Sequence, residues 1–154
     1  MAAEARLREL KIELPKPPEP MANYVRAKQV GNLLFVSGHG PAPDADGKRW
    51  IGKVGGDLTL EEGYHAARLT GLNLLASVRA TLGSLDRVKQ IVKVLGMVNC
   101  APGFDQTPRV INGCSDLFVE VFGKEAGQHT RAAVGMAELP NTIPVEIEMV
   151  VEVE

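Results

Sequence analysis

The chain has 154 residues, 45% apolar and 23% charged, which is the size and composition of one ordinary globular domain. Its formal net charge of -2 argues against a nucleic-acid partner, because phosphate binding rests on clustered Lys and Arg. Glu4, Arg6, Arg8 and Glu9 interrupt the N-terminal stretch where a secretory signal needs an apolar core, and no window approaches the length of a membrane span. A soluble, cytoplasmic protein is therefore expected.

In chain order, residues 1–14 read as a short charged helix stopped by Pro15, Pro17, Pro18 and Pro20, because proline removes a donor and clashes with helical geometry. Residues 1–20 are taken as a leader and linker, and residues 21–154 as the domain. Residues 24–30 and 33–37 are apolar-rich runs around Gly31-Asn32, a two-residue turn signal that predicts a hairpin. A loop rich in Pro, Asp and Gly follows, and residues 49–54 are expected to add a short third strand.

Thr59-Leu-Glu-Glu62 has the form of a capping box, so a helix begins there. Tyr64, Ala67, Gly71, Leu74, Leu75, Val78 and Leu82 keep its 3.6-residue rhythm, and Gly83 ends it. Residues 88–98, rich in β-branched side chains, predict a strand. Thr107-Pro108 opens a second helix whose apolar stripe runs from Val110 to Phe122, with Gly123 as its stop. Residues 130–136 and 145–153 complete the strands, the latter alternating Val145, Ile147, Met149, Val151 and Val153 with Glu146, Glu148 and Glu152.

The resulting order predicts an α+β fold, a mixed sheet with two helices on one face. Ile91, Val92, Val94, Leu95, Met97 and Val98 nevertheless place apolar groups on both faces of one strand, so a partner subunit is expected to cover the second face. Cys100 and Cys114 fit neither a disulfide scaffold nor a zinc pattern, and His39, His65 and His129 stand in no metal-ligand spacing. No metal and no cofactor is expected. Gly52, Gly55 and Gly56 lack the spacing and the lysine of a phosphate loop.

The C-terminal block carries the chemistry. Arg131 supplies a permanent cation whose planar fork suits a carboxylate, and Glu146 follows as a group able to handle water or a proton. Arg131-Ala-Ala-Val134, Leu139-Pro140 and Val145-Glu-Ile-Glu148 form this block. It joins Gly31-Asn-Leu-Leu-Phe-Val-Ser-Gly38, Asn73-Leu-Leu75 and residues 88–98 and 112–122 in an order and spacing that resembles the RidA (YjgF) family of small trimeric enamine/imine deaminases.

The resemblance implies a chorismate-mutase-like fold and a homotrimer with a barrel-like core and clefts between subunits. It implies that Arg131 binds the substrate carboxylate, that Glu146 is the catalytic glutamate, and that Tyr24 and Asn112 line the pocket, with Phe104 beside it. Ala133 stands where family deaminases carry a cysteine, which leaves a backbone amide as its possible contact, and His39 stands where glutamine is common. These departures mark a divergent branch. His39 and His129 are candidates for polar walls of the pocket. The implied reaction is hydrolysis of imino acids of the 2-aminoacrylate or 2-iminopropionate type to keto acids and ammonia. The alternatives are a non-catalytic module that senses a small carboxylate or keto acid, and, less favoured by the charge, RNA cleavage.

Overall fold

Gly31 adopts a φ of +60° that favours glycine, and with Asn32 it turns β1 (Ala27–Val30) into β2 (Leu33–His39), placing Val30 opposite Leu33. These coordinates are a computed structural model that describes residues 2–154; Met1, the first residue of the expected N-terminal helix, lies outside the described residues. β1 begins three residues later than the apolar run predicts, so Tyr24 precedes the sheet.

The capping box forms as read: Thr59 Oγ1 accepts from the Glu62 amide at 3.1 Å, and a Glu62 carboxylate oxygen accepts from the Thr59 amide at 3.0 Å. It opens α2 (Leu60–Leu82), which Gly83 closes in the left-handed region. β3 (Val88–Asn99), α3 (Thr107–Gly127), β4 (Thr130–Met136) and β5 (Val145–Val153) follow. Gly123, at φ 83° and ψ 168°, leaves the helical region and ends the regular run of α3 where the sequence puts its stop; a separate turn then carries the chain to Gly127.

The sheet order is β1-β2-β5-β3-β4. Among the strands of the described residues only the β3–β4 pair is parallel, because α3 carries the chain back across one face before β4 begins. β5, last in sequence, inserts antiparallel between β2 and β3 and so becomes the central strand. Its side chains Val145, Ile147, Met149, Val151 and Val153 are buried beneath the helices with Leu34, Val36, Ile91, Val94 and Val98. A bulge between Ile91 and Lys93 resets the alternation, so that Ile91 and Val94 face the same core. On the opposite face Phe35, Val92 and Val134 are 46%, 36% and 39% exposed.

Two expectations are corrected. Residues 49–54 form no strand: Gly52 and Gly55 turn the chain through positive φ, and only Val54 reaches the sheet, its amide donating to the Asn99 carbonyl at 2.8 Å. Among the described residues the helical layer also holds three α-helices, not two. α1 (Ala3–Leu10) ends at Lys11, before the prolines, and buries Ala3 and Leu7 in the common core. Its Glu4 carboxylate accepts from the Leu85 amide at 3.0 Å, which fixes it beyond the end of α2.

α3 is seated from two sides by missing side chains. A Cβ on Gly113 would lie 2.0 Å from the Tyr64 carbonyl oxygen of α2, and one on Gly96 of β3 would lie 2.6 Å from Ile111 Cδ1. The first obstacle is backbone and cannot swing aside. Gly113→Ala is therefore expected to separate α2 from α3 and to cost about 3 kcal/mol or more, read by chemical denaturation. A loss below about 1 kcal/mol would show that the helices have room to part.

Candidate functional site

β4 is the outermost strand on its side of the sheet, so one of its backbone edges has no strand partner. The Met136 carbonyl accepts from the Cys100 amide at 3.4 Å, toward β3. Backbone direction alternates along a strand, so Arg131, Ala133 and Gly135 turn the other way. The Ala133 carbonyl accordingly accepts from Thr107 Oγ1 at 3.0 Å rather than from β3. The N–H and C=O of one strand residue share a direction, which aims the Ala133 amide at the open edge.

The Arg131 side chain lies on the helix side of that edge. Its Nη1 donates to Asn112 Oδ1 at 2.8 Å and to Ser115 Oγ at 3.1 Å, and Nη2 makes a long bond to the Pro108 carbonyl at 3.4 Å. Nη1 has two hydrogens and both are used. Among the described residues Nε has no acceptor and Nη2 keeps one hydrogen beyond its long bond to Pro108, so the Nε–Nη2 edge, the side-on fork that grips a carboxylate, is the least committed one. Asn112 and Ser115 stand three residues apart on α3 and therefore share a helix face. That spacing is the sequence signal that would have added Ser115 to the candidate residues.

Ser115 leads on to His129, whose Nε2 lies 2.9 Å from Ser115 Oγ and whose Nδ1 lies 2.7 Å from the Gly127 carbonyl. Burial lowers the pKa of His129, and the Arg131 cation lowers it further, against the hydrogen bond to Gly127. Beneath them the buried Cys114 thiol is pushed up by burial, which suits a packing residue and not a nucleophile.

Glu146 is elsewhere. On β5 it sits opposite Met97 and alternates with the buried Val145 and Ile147, so it projects from the open face of the sheet, the side away from Arg131. Its carboxylate rests over Gly38, where a Cβ would come within 2.8 Å of Glu146 Oε2. Partial burial raises its pKa, and the neighbouring Glu148 raises it further. Tyr24, 51% exposed, lines a cavity of about 630 Å³ on this open face together with Phe35, Leu95 and Glu148. It also lines a cleft of about 300 Å³ with Arg26, Gly38, His39 and Arg49.

His39 borders that cleft but spends both nitrogens internally. Nδ1 donates to the Ser37 carbonyl at 2.6 Å and Nε2 takes the Ser77 hydroxyl at 2.7 Å, tying β2 to α2. Phe104 packs over Gly55 in the loop before α3. The residues singled out in the sequence thus fall into two groups within one chain: Arg131, Asn112 and Ala133 at the β4 edge, and Tyr24, His39 and Glu146 toward the β1–β2–β5 side. Among the described residues no helix is long and apolar enough to cross a membrane.

A mixed five-stranded sheet with helices on one face and polar groups at both its edge and its open face defines an α+β protein of the chorismate-mutase-like kind. Residues 4–148 match the family described as "YjgF/chorismate mutase-like, putative endoribonuclease", and the chain belongs to this RidA/YjgF family. It is 44% identical over 148 residues to Protein TCP17 of Trypanosoma cruzi, covering 96% of this chain and 92% of that protein. A solved structure from Shewanella oneidensis, which carries the same endoribonuclease label, superposes with a TM-score of 0.93 at 34% identity and covers 99% of this chain and 100% of its own. A 2-iminobutanoate/2-iminopropanoate deaminase of Dermatophagoides farinae is 29% identical over 143 residues, 93% of this chain and 95% of that protein.

An acid whose folded pKa is raised costs the fold stability above that pKa and nothing below its ordinary unfolded value. Glu146→Gln is therefore expected to melt at a higher temperature than the native protein at neutral pH, with the gap closing as pH falls toward about 4. A gap that stays constant across a pH series of melting curves would contradict the raised pKa.

Proposed function

We propose that the protein hydrolyses reactive enamine and imine acids of the 2-aminoacrylate or 2-iminopropionate type to the keto acid and ammonia. The observation that supports this most directly is the Nε–Nη2 edge of Arg131, engaged by no more than the long bond from Nη2 to Pro108, beside the outward Ala133 amide, a seat for one carboxylate. The carboxylate so held fixes the imine carbon, already an electrophile, for attack by water. Glu146, with its raised pKa, is the general base proposed to take the proton from that water, since a base works best when its pKa approaches the working pH. No thiol is needed for attack by water, so alanine at position 133 is compatible with the reaction. The named activity of the Dermatophagoides relative agrees with this reading.

Because Arg131 and Glu146 leave the sheet on opposite faces, the proposal requires a second copy of the chain. In a homotrimer with open faces turned inward, the Glu146 and Tyr24 side of one subunit meets the β4 edge of the next, and Phe35, Val92 and Val134 lose their exposure. The completeness of the Arg131 half-site within one chain favours a second reading, a small-carboxylate sensor without turnover. The net charge of -2 opposes RNA as the substrate.

With 2-iminopropionate generated in situ, the native protein is expected to release pyruvate and ammonia, with Arg131→Ala and Glu146→Gln each slower by about 100-fold or more. Equal rates for native protein and Arg131→Ala would overturn the reaction. Pyruvate binding lost in Arg131→Ala, with no imine hydrolysed by the native protein, would select the sensor. Light scattering is expected to give the mass of three chains. A folded monomer with undiminished pyruvate affinity would contradict the shared site.

A further inference from the structure

We propose that Ser115 and His129 are positioning residues that set the rotation of the Arg131 guanidinium and so decide which of its edges faces the ligand. The proposal rests on the reading of Arg131 as the carboxylate anchor.

The direction of every hydrogen bond in the chain from Gly127 to Arg131 is fixed by elementary chemistry. A carbonyl only accepts, so the bond to the Gly127 oxygen places the ring proton of His129 on Nδ1. Nε2 of that neutral ring carries a lone pair, so it takes the Ser115 hydroxyl proton. The Ser115 oxygen is then left with lone pairs alone, and a guanidinium only donates, so the remaining bond runs from Arg131 Nη1 to Ser115 Oγ. A hydroxyl that is donating is also the stronger acceptor. With Asn112 Oδ1 on the same nitrogen, Nη1 is pinned from two directions, and a planar group pinned at one corner by two acceptors cannot rotate freely.

The imidazole is itself held. Phe118 packs against it in a T-shaped pair with ring centroids 5.9 Å apart at 75°, and the ring is half-buried between the end of α3 and the start of β4. From α3 it faces Ser115 and Phe118; Arg131, from β4, is the charged group that acts on it. Both burial and that cation favour the neutral form the chain of bonds requires. Without the imidazole, Ser115 is free to turn its proton toward the guanidinium side, where it repels the donor it now supports.

Pyruvate affinity at neutral pH, measured by calorimetry on the full chain, tests this. Ser115→Ala and His129→Leu are each expected to weaken binding roughly 5- to 10-fold, the effect of about one ordinary hydrogen bond lost from the support of the guanidinium. The double variant should be no weaker than either single one, because both act through the same oxygen. His129→Gln, whose side-chain oxygen can take the Ser115 proton from the Nε2 position, should recover most of the affinity lost in His129→Leu. Nitrogen NMR should show the Nδ1–H tautomer of His129 in the native protein and a mixture in Ser115→Ala. Additive losses, or full affinity in Ser115→Ala, would overturn the proposal. If the native protein binds no pyruvate, the anchor reading itself fails. The positioning is then read from the Arg131 side-chain resonances, which should show hindered rotation in the native protein and free rotation in Ser115→Ala; unchanged resonances would overturn it.

Discussion

Backbone lies against backbone where α3 crosses α2, and the rest of the β4 edge follows from that contact. At position 113 the Tyr64 carbonyl occupies the place of a side-chain carbon, and at position 96 the Ile111 side chain does the same from the sheet side. Asn112 and Ser115 flank the first of these contacts, so their height above β4 is set by packing that tolerates almost no adjustment. The Pro108 carbonyl, one turn earlier, is placed by the same helix. Arg131 therefore meets acceptors already in position, and the entropy of ordering its long side chain is offset by bonds that need no rearrangement.

The two-residue alternation of strands has the opposite effect on the site as a whole. It sends Arg131 toward α3 and Glu146 to the face where no helix lies. The sheet stands between them, and no rotamer of either side chain crosses it. Any chemistry that uses both groups belongs to an assembly and not to one chain. The same face carries Phe35, Val92 and Val134 in partial exposure, so the apolar surface that calls for a partner and the carboxylate that would need one occur together.

Local signals were legible in the sequence. The capping box, the Gly31-Asn32 turn, the helix stripes and the alternation of residues 145–153 all depend on neighbours within one or two turns, and each appears where the pattern puts it. The misreadings share a cause of another kind. Residues 49–54 have the composition of a strand, but Gly52 and Gly55 turn the chain away and leave Val54 as a single bridge. The stretch ending in the prolines looks like a detached leader, yet Leu7 finds an apolar surface that exists only once α3 and the Leu85 turn are assembled.

The sequence by itself determined the family and most of the order of elements, and it singled out Arg131 and Glu146 as candidates, because these rest on residue type and spacing along one chain. Tertiary structure alone decided that β5 is central, that Arg131 leans on Ser115 as well as Asn112, that His39 is spent on Ser37 and Ser77, and that Glu146 lies across the sheet from the arginine. Hydrogen-bond partners far apart in the chain, and the face a side chain takes, are fixed only when strands find their register and helices their seats.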